Sequence, residues 1–285
     1  MQTNPRDAYN SDTFQADCEN CFGLCCVALG FTASVDFSID KAGGVPCRNL
    51  EEDCHCGIHP NLGTLGYNGC TVFDCLGAGQ KVSQQTFGGI SWKNNPQSAQ
   101  QMFQMLPVMQ QLHEMMLYLT QAIDRYGKGE LETELRKSRQ AIYGLTLATA
   151  EKVLATDLPQ YRQDINDILV QGSGSVRLES GRYNKKMNRK KGADYQEADL
   201  IGEKFQERDM KGSLFRGTYL IGADLRNADL RNSDFIGANL RNADLSGADL
   251  SGSLYLTQMQ LNAARGNTGT KLPGLLSRPT HWHKD

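Results

Sequence analysis

Cysteine is missing from the last 210 residues of this 285-residue chain; all nine cysteines fall between Cys18 and Cys75. That gap excludes a disulfide framework running through the whole protein. No apolar run approaches the roughly 20 residues a helix needs to cross a bilayer, and the opening MQTNPRDAYNSD has neither the basic start nor the apolar stretch of a secretory signal. A cytoplasmic setting is therefore expected. Neither charge sign dominates, since 30 Lys and Arg stand against 32 Asp and Glu, so the chain as a whole offers no field for nucleic acid or an anionic membrane. The length accommodates two or three domains.

What the chain does have is a repeat. From Ala193 to Tyr255 an apolar residue recurs every five positions, at Tyr195, Leu200, Phe205, Met210, Phe215, Leu220, Leu225, Leu230, Phe235, Leu240, Leu245, Leu250 and Tyr255. Two positions before each stands a small residue in eleven of thirteen cases, which neither a helix nor a strand requires. Such a unit buries its face only by stacking on its neighbours. Every fourth apolar residue is aromatic (Tyr195, Phe215, Phe235, Tyr255), and the set one step later (Leu200, Leu220, Leu240) is entirely leucine. Four pentapeptides therefore make one coil, and coils stacked about 4.8 Å apart pile like side chains into ladders. The motifs ADLRN, ANLRN and ADLSG resemble the pentapeptide-repeat family, which implies a right-handed quadrilateral β-helix. Glu203 and Arg208 break the small-residue rule in an early coil; either they pair with each other or the shaft is open at its entrance.

The crowding of the cysteines calls for a bond between them. In a reducing cytosol metal coordination is favoured over a disulfide framework or unrelated buried thiols. Cys18 and Cys21 have the gap at which two thiolates reach one ion, Cys25 and Cys26 follow in the same local turn, and the later cysteines arrive in glycine-rich loops, as expected where metal bonds replace a large core. The order Cys18-x2-Cys21-x3-Cys25-Cys26, Pro46-Cys47, Cys56-Gly57-Ile58-His59 and Cys70 through Phe73-Asp74-Cys75 resembles the YkgJ-like cysteine-cluster family, described as zinc- or iron-chelating. That resemblance implies the ligand set Cys18, Cys21, Cys25, Cys26, Cys47, Cys56, Cys70 and Cys75, with Cys54 an extra. Eight thiolates suit two closed four-sulfur zinc sites, or an iron–sulfur cluster with cysteines left over. A catalytic reading needs an open coordination position and a base, for which His55, His59 and Asp74 are the candidates. Residues 1 to 80 hold ten acids against three bases, which disfavours nucleic acid. Gly77-Ala78-Gly79 reads as a tight exit turn rather than a phosphate loop.

After Asn95-Pro96, Met102, Met109, Met116 and Ile123 recur every seven residues with Met105, Leu112 and Leu119 between them, an amphipathic helix whose methionine stripe reads as core before it reads as a partner groove. A second helix is expected from Leu131 through Val153, and a short third from Asp157-Leu158-Pro159 through Tyr161, Ile165 and Leu169. Gly172-Ser173-Gly174-Ser175 reads as a boundary, followed by a basic stretch (Arg177, Arg182, Lys185, Lys186, Arg189, Lys190, Lys191) that lacks the aromatics for base stacking and reads as a solvated linker. The expected divisions are a cysteine-cluster metal domain over 1–80, a helical hairpin with a short third helix over 95–171, a basic hinge over 172–192, the β-helix over 193–255 and a C-terminal cap over 256–285.

Two classes of function follow. The favoured one is a non-enzymatic binding scaffold with a structural zinc site, in which the solenoid meets a protein partner. The family resemblance implies antibiotic resistance or self-protection by shielding a target such as a topoisomerase, through a long acidic solenoid dimer that imitates DNA. Here thirteen pentapeptides give roughly 16 Å of shaft, over which duplex DNA carries about nine charges, whereas residues 193–255 hold eleven acids and seven bases. A homodimer would double the length without raising the charge density. Arg216, Arg226, Arg231 and Arg241, just after central residues, are expected to point outward and dilute the acidic face further. The alternative is a metalloenzyme or redox protein working at the cysteine cluster through zinc or iron–sulfur chemistry.

Overall fold

The computed structural model describes residues 11–180, 183–184, 189–190 and 193–282. Its compact units are Met1–Thr120 with Lys137–Asp164, and Gln121–Arg136 with Ile165–Asp285. Among the described residues no helix is long and apolar enough to cross a membrane.

In the first unit the cysteine-rich part is built of short pieces. Asp17 caps a 3₁₀ turn at Cys18–Asn20 by accepting from the Asn20 N–H, and two brief helices, α1 (Leu24–Ala28) and α2 (Asn68–Val72), carry Cys25, Cys26 and Cys70. Single antiparallel pairs, Phe31 with Lys41 and Leu50 with Cys56, tie the loops. The chain then enters α3 (Ala78–Gln80), which continues as a π-helical turn over Lys81–Thr86. In α4 (Pro96–Tyr126), Met102, Met105, Leu106, Met109, Leu112 and Leu119 have no solvent exposure. The methionine stripe is core.

Two helical expectations need correction. The second helix stops early: α5 covers Gly129–Thr146, and Thr149 takes an extended backbone (ψ 155°) before a separate α6 at Ala150–Leu154. The third is not short, because α7 runs from Leu158 to Ser180 straight through Gly172-Ser173-Gly174-Ser175. Glycine costs a helix about 1 kcal/mol, but at Gly172 a Cβ would overlap the ring of Tyr126. The glycine marks a close approach, not a boundary. Of the basic stretch, Arg177 is half-buried with Nε donating to the Gly212 carbonyl at 3.0 Å. Tyr183–Asn184 (β1) pairs antiparallel with Arg189–Lys190 (β2), and Arg182, Lys185, Lys186 and Lys191 lie outside the described residues.

The second unit contains the repeat solenoid. Parallel pairs join Asp194 to Leu214, Asp199 to Tyr219, Lys204 to Asp224 and Asp209 to Asp229, and the step of twenty residues persists to Asp234 with Leu254. Each side of the coil pairs through one residue only, so the shaft is a stack of single bridges rather than of long strands. The corners explain the rest of the pentapeptide. The central carbonyl accepts from the N–H three residues on, as Ala198 to Tyr195 at 3.0 Å. The residue before that N–H has positive φ, from 55° at Asn227 to 69° at Gly247 and Gly252 within the coils, the signature of a type II turn that glycine and asparagine fit. The acid before the centre closes an Asx turn onto the N–H two residues later, as Asp199 Oδ1 does for Ile201 at 3.1 Å. The inward-facing hydroxyls of Thr218, Ser233 and Ser253 donate to a carbonyl of the preceding coil, as Ser233 does to Met210 at 2.9 Å, whereas that of Ser213 has no partner among the described residues.

Inside, Tyr195, Phe215 and Phe235 stack with centroids 5.3 and 5.0 Å apart. Tyr255 leaves the pattern with φ 61°, its hydroxyl reaching Tyr126 and the Leu169 carbonyl, and Leu256 joins the core instead. Beyond it a capping box between Thr257 and Gln260 starts α8 (Gln258–Ala263). The chain then resumes pairing, Asp244 with Arg265 and Asp249 with Lys271. Trp282 covers Gly266, its indole N–H on the Ala264 carbonyl at 3.1 Å. At the other end Glu203 and Arg208 are both exposed, so the open-entrance alternative is the one observed.

Candidate functional site

All nine cysteines are free thiols. The sulfurs of Cys25 and Cys26 lie 4.0 Å apart. Cys21 and Cys75 both face Gly79, where an added Cβ would come within 2.8 and 3.6 Å of their sulfurs. That glycine leaves room for thiols.

Burial and neighbouring charge raise six of these thiols, Cys18, Cys21, Cys25, Cys56, Cys70 and Cys75. Burial pushes Cys21 up to about 12, with Cys25, Cys75 and Cys18 adding; Cys18 and Cys75 are raised for the same first reason, with Asp74 contributing to both and Asp17 to Cys18. Cys25 is raised chiefly by its sulfur contact with Cys26 and then by burial. Burial takes Cys70 up to about 11, with Cys25, Cys47 and Cys56 adding and Lys41 opposing. Cys56 is raised by burial and by Cys47 and Cys25, against a lowering contact from Cys26. Cys54 is a leading influence on none of them. Electrostatic influence thus links Cys18, Cys21, Cys25 and Cys75 with one another, and Cys25 and Cys47 with Cys56 and Cys70. Among the described residues, however, no three Cys, His, Asp or Glu side chains are arranged to hold a metal ion.

The donor set fits a soft metal in kind. Two sulfurs on a tetrahedral zinc with bonds of about 2.3 Å stand about 3.8 Å apart, close to the Cys25–Cys26 separation. The catalytic candidates are less suited. His59 is exposed, His55 pairs with Glu19 and Asp53, each at 3.4 Å, and Asp74 turns its carboxylate back onto the Leu76 N–H at 2.7 Å.

The burial of Lys41, Lys81 and His113 was not anticipated from sequence. The Lys41 ammonium donates to the carbonyls of Val27, Leu29 and Ala42 at 3.1, 2.5 and 3.2 Å; burial lowers its pKa while Cys47, Cys26, Cys25 and Cys70 pull the other way. Its only signal was being one of three bases in the first 80 residues. Lys81, buried in the π-helical turn, donates to Gln85 and faces the Tyr143 ring. His113 Nδ1 lies 2.6 Å from the Leu76 carbonyl, so it carries the proton, and Nε2 is buried with no partner. Burial pushes this imidazole down to about 4.

The solenoid presents four different sides. The side centred on Phe215 and Phe235 is taken by helical segments of the same unit: Arg216 Nε and Ser173 Oγ donate to Asp234 Oδ2 at 3.0 and 2.6 Å, and Arg216 Nη1 reaches Asn166 at 2.7 Å. Arg216 therefore does not point into solvent as expected. The side centred on Phe205 and Leu225 carries a bidentate Arg226–Asp224 pair. The side centred on Met210 and Leu230 carries Arg231 on Asp229, Lys211 between Asp209 and Asp229 at 3.6 and 3.5 Å, and Lys271 on Asp249 at 3.1 Å. Charge on these two sides is interleaved and paired. The remaining side, centred on Leu200 and Leu220, exposes Ile201 (55%) and Tyr219 (52%), with half-buried Ile221 one coil above Ile201.

The pentapeptide repeats family matches residues 213–252 in eight copies. Among solved structures, a pentapeptide repeat protein from Nostoc PCC 7120 is 34% identical, covering 29% of this chain and 75% of its own length with a TM-score of 0.23. Rfr23 from Cyanothece 51142 is 28% identical over 33% of this chain and 58% of its own, with a TM-score of 0.18. A relative in Bacillus subtilis (strain 168), the uncharacterized protein YybG, is 47% identical over 269 residues, 94% of each chain. Sharing nearly its whole length with that relative and carrying the repeats within it, the chain belongs to the YybG family of pentapeptide-repeat proteins.

Proposed function

We propose that this protein is a non-enzymatic binding scaffold whose solenoid docks on another protein through the Leu200–Leu220 side, with the N-terminal cysteines as a structural zinc centre. The observation that carries the reading is the contrast between sides. Exposed Ile201 and Tyr219 with half-buried Ile221 form an apolar strip beside sides whose carboxylates are already matched to Arg and Lys. A tyrosine and isoleucines within a polar surround have the composition of a protein interface core.

Target shielding, including antibiotic self-protection of a topoisomerase, is the most concrete form of this function. The paired charges favour direct contact over imitation of DNA, since duplex DNA carries no neutralising cations of its own at this spacing. Full-length protein is expected to rescue bacterial gyrase supercoiling from a poison, and Tyr219→Asp with Ile201→Asp to abolish the rescue while leaving the fold intact. Absence of rescue at large molar excess removes the gyrase form. Rescue that survives both substitutions removes the strip as the docking surface. For the metal, the gathered thiol donors support zinc, with an iron–sulfur cluster as the alternative.

A further inference from the structure

We propose that the Leu200–Leu220 side takes a segment of a partner protein that carries an apolar anchor with a Lys or Arg flanking it, the cation lying toward the first coil. This rests on the docking reading above and goes beyond it in giving the partner's charge and its direction along the shaft.

The side is polarised along the stacking axis. In the first coil Glu197, Asp199 and Glu203 are exposed around Ile201. Glu197 lies one coil below Gly217, its Cγ 3.4 Å from the place a Cβ would take there, and Asp199 lies directly below Tyr219 in the parallel pairing. Glu203 follows at the next corner, its N–H on the Leu200 carbonyl at 3.2 Å. The second coil contributes Tyr219 and Ile221, and residues 217–223 contain no charged side chain. In the third coil residues 237–243 contain no acid and one base, Arg241. Acidic, apolar and basic sequence thus succeed one another over two coil steps, about 10 Å, and only the first coil offers a bound cation its counter-charge.

These three acids differ from the others of the solenoid. Asp224, Asp229, Asp234 and Asp249 each meet an Arg or Lys of the shaft. Among the described residues Glu197, Asp199 and Glu203 meet none, and Asp199 uses Oδ1 on the Ile201 N–H. The nearby cations of the first coil are turned to other sides: Lys204 stands below Asp224 in the parallel pairing, and the Arg208 guanidinium lies over the Phe205 ring, 5.5 Å from its centroid. Unmatched carboxylates beside an apolar strip steer a cationic partner in and reject an acidic one. The apolar strip spans one coil step, about 5 Å, which suits one or two anchoring side chains of a segment and falls short of the roughly 800 Å² per partner that a stable dimer buries.

A displayed random-peptide library selected on the full-length chain tests this, with the Tyr219→Asp, Ile201→Asp variant as counter-target. Peptides that bind wild type and lose the counter-target are expected to carry Lys or Arg beside an apolar anchor. One such peptide, made synthetically, is expected to bind about tenfold more weakly to a chain carrying Glu197→Gln, Asp199→Asn and Glu203→Gln, the sum of three exposed charge contacts. Two measurements on wild type do not depend on a variant folding: high salt should weaken the peptide similarly, and its Glu-flanked counterpart should bind more weakly still. Strip-dependent peptides without basic enrichment, or binding indifferent to salt and to the three neutral substitutions, overturn the cationic flank and leave the docking reading standing. Selected peptides that hold the counter-target equally well, or no selected peptide at all, remove the docking reading itself. A wild-type dimer in sedimentation that the Tyr219→Asp, Ile201→Asp variant loses would put a second copy on the strip and overturn the proposal.

Discussion

Arg216 donates through Nε to Oδ2 of Asp234, one coil further along, at 3.0 Å, and the Asp234 side chain has no solvent exposure. Ser173 and the Ile236 N–H complete the carboxylate's partners. Removing one member of a buried ion pair leaves the other charged and uncompensated, which costs about 3–5 kcal/mol. Asp234→Ala is expected to lower stability by that order, and Asp234→Leu combined with Arg216→Met to cost less than the sum of the two single changes. Urea unfolding of wild type, the single variants and the double variant checks this; additive losses would mean the pair is not coupled.

Gly172 lies in the interior of α7 against the Tyr126 ring. On propensity alone Gly172→Ala should gain about 1 kcal/mol, but forcing a methyl into an occupied space costs about 1–3 kcal/mol. The substitution is expected to destabilise, and Tyr126→Leu to relieve much of its effect. A rise in melting temperature for Gly172→Ala alone would contradict the contact.

The small inward position matters only where a coil is covered on both sides. Ala243 has no exposure, while Glu203 at the same place in the first coil is exposed. Ala243→Glu should abolish cooperative unfolding of the solenoid, since a lone buried carboxylate has no partner, whereas Glu203→Ala should change stability by no more than about 0.5 kcal/mol. Comparable effects at the two sites would mean the shaft is not open at its entrance.

His113 gives the first unit a pH dependence of definite sign. Its folded pKa is depressed by burial from 6.5 to about 4, so between those values the unfolded chain binds a proton that the native chain does not. Stability is full above pH 6.5 and falls on acidification through the window, by about 3 kcal/mol if the whole shift is realised. His113→Leu is expected to flatten the difference between urea midpoints at neutral pH and at acid pH. An unchanged slope would show that carboxylates alone account for it.

The coil was legible in the sequence because one physical requirement, stacking at every twentieth residue, imposes itself on each position from Tyr195 to Leu250. It became illegible after Leu254, where α8 lengthens the coil: the pairing continues from Asp244 to Arg265 and from Asp249 to Lys271, steps of 21 and 22 residues, and no fixed period survives. The outward Asp and Arg residues were counted as free charge, yet Asp224 and Asp229 are held below the ordinary carboxylate range chiefly by Arg226 and Arg231. Gly172 read as a break because composition records a glycine and not the ring beside it. The crowding of the cysteines is plain in the sequence, but Lys41 and His113 acquire their surroundings from loop and helix packing that no spacing rule encodes.

The most direct test of the scaffold reading is the zinc, iron and labile sulfide content of the full-length chain, with its visible spectrum, purified both in air and without it. The account predicts a colourless protein with stoichiometric zinc and no sulfide under either condition. A brown protein carrying iron and sulfide would contradict it and return the cysteine cluster to redox chemistry.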